Sequence, residues 1–245
     1  MSQATGKPTG RHIGQIFFQR ASELGPRTFV KLQKGERFEE ISWQEFAALV
    51  QKIALGLIAL GLSPGDTIAI IGENSLEWLA ADLATLSVGV TNVVISSALS
   101  DAMCLKILGH AGCRAAFVQD SAGAGRLLNL KGQLPGLSQI IAMDGTDADL
   151  RSTLSFSGLV ERGRQVNAGR FTSLVEAVHS SDLATIMYTS GSTGEPKGVM
   201  RTQDNLLANI TNGGAIVVSG AEDLAVNILS LNHLFGRFGF LKSAV

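Results

Sequence analysis

Strand-length apolar runs alternate with helix-period segments along most of this chain, and that alternation restricts the fold more than any other feature. The runs "TIAII" (67–71), "VTNVVI" (90–95), "AAFV" (115–118), "QIIAM" (139–143) and "ATIMY" (184–188) have the length and character of buried strands. Between them lie helical patterns. In "SWQE", Ser42 can cap a helix while Glu45 returns a bond to the Ser42 amide. Phe46, Leu49, Val50, Ile53, Leu57 and Leu60 then share one face, and Gly61 supplies a stop. Further helices are predicted over about 76–86 and 99–109. This βαβαβ rhythm is that of an α/β fold, with layered α/β subdomains and largely parallel sheets.

Two stretches need a decision. Residues 79–99 carry the hydropathy of a membrane span, but Asp82 lies inside them and Gly89 divides a helix-like half from a β-rich half. The expected reading is a core helix followed by a buried strand. Residues 144–169 are polar and lack a clean period, which predicts an irregular surface connection before "FTSLVEAV" resumes helical spacing.

Bulk properties exclude several classes. With 245 residues and 45% hydrophobic content the chain can bury a sizeable core, in one large domain or two smaller ones. Twenty Lys and Arg face 21 Asp and Glu without a dense basic block, so nucleic acid is not an expected partner. Cys104 and Cys113 show no C-x-x-C or metal spacing and read as reduced core thiols. The polar start "MSQATGKPTGRHIGQIF" lacks the apolar core of a secretory signal, so a cytoplasmic location is expected.

The stretch "YTSGSTGEPKGVM" (188–200) follows an apolar strand and carries the chemistry. Thr189, Ser190, Ser192 and Thr193 place four hydroxyls within five residues, interleaved with Gly191 and Gly194. Glycines let backbone N–H groups turn inward into a concave nest suited to phosphate oxygens. Lys197 adds a mobile charge, and the hydroxyls can follow phosphates as they move. It is not a G-x-x-x-x-G-K-[ST] loop, because Pro196 precedes the lysine; strand–loop–strand is expected rather than strand–loop–helix. On composition alone, a Gly/Ser hairpin without ligand is the competing account.

The order of these residues resembles the signature loop of the adenylate-forming, AMP-binding superfamily, which includes acyl-CoA synthetases, peptide-synthetase adenylation domains and luciferases. "GDTIAIIGENSLEWLAADLATLSVGV" and "LSLNHLFGR" extend the resemblance, which runs from about Thr28 to the end of the chain and is strongest to long-chain fatty acid–CoA ligases. The resemblance implies an N-terminal portion of the acyl-CoA synthetase-like fold. It also implies a two-step reaction: a carboxylic acid and ATP give acyl-AMP and pyrophosphate, and coenzyme A then displaces AMP. ATP, Mg²⁺ and coenzyme A are the expected cofactor and co-substrates, with Thr189, Ser190, Gly191, Ser192, Thr193, Gly194 and Lys197 as ATP contacts. Thr189, Lys197 and His233 would serve the reaction, His233 near the reacting carboxylate; Glu195 is read as a solvent-facing charge. No protein metal ligand is assigned.

This sequence departs from the family in three places. The family commonly has prolines near Val94 and Ser97, and Asn232 is not the residue expected beside His233. The adenine- and magnesium-binding motifs and the lysine-bearing C-terminal domain also have no counterpart in residues 1–245, so this is expected to be a partial AMP-binding domain whose partner is the remainder of its own chain. An ending inside the domain would leave sheet edges and apolar surface uncovered. A hydrophobic acid would suit peripheral membrane contact, although no basic amphipathic helix establishes it.

The remaining candidates read as structural. Arg237 reads as a helix-terminal surface charge, with a direct role as the lesser alternative. His12, His110 and His179 lack partner patterns, Trp43 and Trp78 read as packing residues, and "SAGAGRLL" lacks both a third glycine and a strand immediately before it, so its glycines read as cap or loop. Two other functions compete with the ligase: a short nucleotide-binding pseudo-enzyme or regulatory module, and an NTPase, which would need a Walker-B-type Asp after an apolar strand, whereas the strand-like "LATIMY" and "AVNILSL" both end without one.

Overall fold

A computed structural model describes residues 12–145, 153–190, 195–216 and 223–245. Its centre is a seven-stranded sheet of order β7-β6-β5-β3-β4-β8-β9. The strands are β3 (Thr67–Ile71), β4 (Thr91–Ile95), β5 (Ala115–Val118), β6 (Gln139–Ala142), β7 (Thr153–Ser155), β8 (Leu183–Ser190) and β9 (Pro196–Thr202). Every pairing is parallel except β8 with β9, which form an antiparallel hairpin. A separate antiparallel pair, β1 (Thr28–Lys34) and β2 (Arg37–Ser42), precedes the sheet.

The central strands read as unbroken apolar runs because helices cover both faces. Successive side chains divide between the layers. Ile68, Ile70, Val94, Phe117 and Ile141 join one core with helices α1 (Ile13–Leu24), α2 (Trp43–Ala59), α3 (Leu76–Ser87), α6 (Phe156–Arg164), α7 (Ala168–Ala177), α8 (Gln203–Ile216) and α9 (Leu234–Ala244). Ala69, Ile71, Val93, Val118 and Ile140 meet α4 (Asp101–His110) and α5 (Ser121–Leu130) on the other. A 3₁₀ turn, Lys131–Gln133, follows α5. β3 is followed by α3 on the first face, leading to β4, and its other neighbour β5 by α5 on the second, leading away to β6. The crevice outside the carboxyl ends of β3 and β5 is therefore a topological switch point, where open α/β sheets place ligands.

Local chemistry explains the elements. The capping box at α2 forms as the sequence predicts: the Glu45 amide donates to Ser42 Oγ and the Ser42 amide to the Glu45 carboxylate. Gly61, at φ 82°, turns the chain out after that helix. The 79–99 stretch resolves into α3, a left-handed turn at Gly89 (φ 72°) and β4. Among the described residues no helix is long and apolar enough to cross a membrane.

Several expectations need correction. The 144–169 stretch is not irregular throughout: its described part contains β7, α6 and the start of α7. Glycines hide this, because they mark a close helix crossing rather than a loop. A Cβ at Gly163 would sit 2.0 Å from the Lys52 carbonyl oxygen, and one at Gly56 would sit 2.4 Å from that of Leu159, so α6 and α2 touch backbone to backbone. Gly163→Ala is expected to force the helices apart and cost about 1–3 kcal/mol, read as a lowered urea midpoint. "SAGAGRLL" is the helix α5, capped by Asp120 and entered two residues after β5, so its glycines are helical rather than cap or loop. "AVNILSL" forms no strand; it finds no partner strand among the described residues, and Leu224, Val226 and Ile228 stay exposed. α1 and the β1–β2 hairpin add to the elements expected from the sequence; α1 carries its own signal, since Ile13, Ile16, Phe17 and Ala21 fall at helical spacing and are buried together.

Trp43 and Trp78 are buried packing residues, and Cys104 and Cys113 are buried free thiols. Burial pushes the Cys113 thiol up to about 12, which keeps it protonated and unreactive.

His12 is fully buried at the start of α1. Its Nδ1 accepts from the Gly14 amide, so Nε2 carries the proton and donates to the Val175 carbonyl at 2.8 Å. Burial lowers its pKa below 6.5, against smaller opposing effects of Val175 and Asp182. In acid the unfolded chain therefore takes up this proton before the folded one. The stability contributed by neutral His12 is complete above about pH 6.5 and is lost as pH falls from there through the folded value. Urea midpoints measured from pH 7.5 to 5.5 are expected to fall, with a shallower slope in His12→Asn.

Candidate active site

The β8–β9 hairpin presents the predicted loop at the carboxyl edge of the sheet. β8 begins buried at Ala184 and Thr185 and emerges into solvent by Thr189. In the hairpin register Thr189 stands opposite Lys197 and Ser190 opposite Pro196. Directly opposed residues of an antiparallel pair share a face, so the Thr189 hydroxyl and the Lys197 ammonium project from the same side of the ribbon. Both residues are exposed. The nearby carboxylate, Glu195, is engaged by Lys106 at 2.8 Å, while Lys197 forms no ion pair among the described residues. Glu195 is solvent-facing, as expected. Gly191, Ser192, Thr193 and Gly194 lie outside the described residues, and for Ser190 only the backbone is described.

His233 lies at the same edge, as the N-cap residue of α9. The preceding segment is tied to the exit of β3: Asn232 donates to the Gly72 carbonyl, Asn74 donates to the Leu229 carbonyl, and the Leu231 amide donates to Asn74, each at 2.8 Å. Asn232 thus has a structural task. Its Oδ1 is buried without a partner among the described residues, as is Nε1 of Trp78. His233 itself is exposed and makes no side-chain cap bond. It sits near the β3 exit while Thr189 and Lys197 sit beyond β8, with β4 between the two strands. The structure brings Thr189 and Lys197 together and leaves His233 as a separate group on the same edge.

The exit of β4, which lacks the expected prolines, is held by side chains instead. Ser97 Oγ donates to Glu73, and Arg126 reaches from α5 to Asp101 and to the carbonyls of Ser97 and Leu99.

Arg237 is not a surface charge. It is fully buried on α9, paired through Nη2 and Nε with the fully buried Asp82 of α3 at 2.6 and 2.9 Å. Nη1 donates to Thr185 Oγ1 at 2.8 Å, and Nη2 also donates to Asn92 Oδ1 at 3.1 Å. Asn92 Nδ2 in turn donates to Asp82 and Thr85. Through this network α9 is fixed to β4, β8 and α3, which sets where His233 stands. The sequence carries one signal for it: an aspartate inside an apolar helix must find a positive partner.

The model of the family described as "AMP-binding enzyme" matches residues 17–244. The chain belongs to the AMP-binding enzyme family. The long-chain-fatty-acid–CoA ligase FadD15 of Mycobacterium bovis is 31% identical over 201 residues, covering 81% of this chain and 32% of the relative. Among solved structures, a fatty acyl CoA synthetase of Mycobacterium tuberculosis matches 96% of this chain and 43% of its own with a TM-score of 0.74 at 22% identity. The A-PCP didomain of carboxylic acid reductase from Segniliparus rugosus, solved in complex with AMP, matches 96% and 38% with a TM-score of 0.78 at 19% identity. The chain spans about a third of the length of the curated relative it matches.

Proposed function

We propose that this chain is the phosphate-handling part of an ATP-dependent carboxylic acid ligase acting on a long-chain fatty acid. The observation that carries the reading is Thr189 standing opposite a Lys197 that forms no ion pair among the described residues, at the loop end of a hairpin on the carboxyl edge of the sheet. In the first step an acid carboxylate oxygen attacks the α-phosphorus, the bond to the bridging oxygen breaks, and pyrophosphate leaves. In the second, the coenzyme A sulfur attacks the acyl carbonyl carbon and AMP departs, giving acyl-CoA.

The first step gathers negative charge on the departing pyrophosphate, and donors fixed in advance are what stabilise it. Lys197 supplies a cation and Thr189 a hydroxyl, and Ser190, Gly191, Ser192, Thr193 and Gly194 complete the proposed set of ATP contacts. His233 would face the acid. Among the described residues no group of three or more His, Cys, Asp or Glu side chains could hold a metal ion. Mg²⁺ carried in on the ATP phosphates would add positive charge where negative charge gathers.

The test is pyrophosphate release by the protein expressed to the native stop codon of its gene, with ATP, Mg²⁺ and a panel of fatty acids. Acid-dependent release, strongest with long chains, is expected. A folded protein that binds ATP yet releases no pyrophosphate with any acid would replace the ligase with a nucleotide-binding module.

A further inference from the structure

Helix α4 touches the hairpin at two points one turn apart. His110 Nδ1 lies 2.6 Å from the Tyr188 hydroxyl, and Lys106 Nζ meets Glu195. Positions i and i+4 share a helix face, so both contacts come from the same side of α4. Tyr188 and Ile186 pack on the α4 layer of the sheet, whereas Thr189, one residue on, projects from the other side. Tyr188 also covers Gly198, its cross-strand partner: a Cβ there would lie 3.2 Å from Tyr188 Cζ and 2.9 Å from Ile186 Cγ2. The ring therefore lies across both arms of the hairpin, immediately behind Thr189 and Lys197, and its hydroxyl is tethered to α4. The two contacts are unequal. The Lys106–Glu195 pair joins two exposed, flexible side chains and contributes little to holding the ribbon; the His110–Tyr188 bond is exposed too, but it is short and is made by a ring half-buried against the sheet.

We propose that His110 and Tyr188 are positioning residues for the nucleotide: their bond locks the hairpin against α4 and so sets where Thr189 and Lys197 stand. The ATP half of this inference rests on the ligase reading above; the lock itself does not.

Amide hydrogen exchange on the protein expressed to its native stop codon tests the lock without any activity. Tyr188→Phe keeps the ring over Gly198 and removes only the hydroxyl. It should speed exchange of the amides in 186–189 and 197–200 by about 3–10-fold, as expected for one lost hydrogen bond, while β3 and α2 are unchanged. His110→Ala should match it, the double variant should be no faster than either single one, and His110→Gln should restore part of the protection. Lys106→Ala should stay within about twofold of wild type. Unchanged hairpin exchange in both Tyr188→Phe and His110→Ala, or additive effects in the double variant, would overturn the lock. If pyrophosphate release is observed, the same two variants should raise KM for ATP by a similar factor and leave KM for the acid alone. An unchanged KM for ATP beside faster exchange would overturn the nucleotide role. Absence of release in wild type would count against the ligase reading only, with exchange still deciding the lock.

Discussion

Lys197→Ala is expected to lower acid-dependent pyrophosphate release by about 10²–10³-fold, the loss seen when one fixed donor to a developing anion is removed. Its side chain is exposed at the hairpin and pairs with no carboxylate among the described residues, so truncation leaves no buried charge behind and the urea midpoint should stay within about 0.5 kcal/mol of wild type. Activity and stability therefore separate at this residue. Lys197→Arg should recover only part of the rate, because a planar fork cannot occupy the position of a compact ammonium. Release that survives Lys197→Ala in a folded protein would remove the lysine from the phosphate site. The neighbouring Glu195 supplies the contrast: it is tied to Lys106, and Glu195→Gln should leave release nearly unchanged.

Arg237→Ala is expected to destabilise the protein by about 3–5 kcal/mol, a large fraction of the stability of an ordinary domain. The loss comes from what remains. Asp82 would stay fully buried without its bidentate partner, and Asn92 and Thr185 would each lose a donor. Removing both charges should be gentler, so Asp82→Leu/Arg237→Met is expected to recover most of the urea midpoint while Thr185 keeps its bond to the Asn92 carbonyl at 3.1 Å. An Arg237→Ala midpoint within about 1 kcal/mol of wild type would contradict the buried pair. Because α9 carries His233 at its start and Phe240 near its end, loss of the pair should also loosen the packing of Phe240 on Phe29 and Phe46, whose ring centroids lie 5.9 and 6.5 Å away.

The parts of this fold that are legible in the sequence are those set by near neighbours. The Ser42–Glu45 capping box, the stop at Gly61 and the division of 79–99 at Gly89 are each decided within a few residues, and each forms as the sequence predicts. The glycine pair at Gly56 and Gly163 is illegible for the opposite reason: a glycine that permits two helices to touch looks the same in sequence as one that ends a helix. "AVNILSL" misleads differently, since a short apolar run marks a strand only where an edge is available to pair with it.

The candidate site divides the same way. Its chemistry is local: that hydroxyls, glycines and a lysine follow a strand in an order that resembles the AMP-binding family, and that Pro196 favours strand–loop–strand, can be read from the residues alone. That the two strands pair with Lys197 opposite Thr189, that Lys106 takes Glu195, that His110 holds Tyr188 across 78 residues, and that Arg237 is spent on Asp82 across 155 emerges only from the folded chain. A side chain's charge and donors are written in its own identity. Its partner is chosen by desolvation and packing, which depend on every element that closes around it.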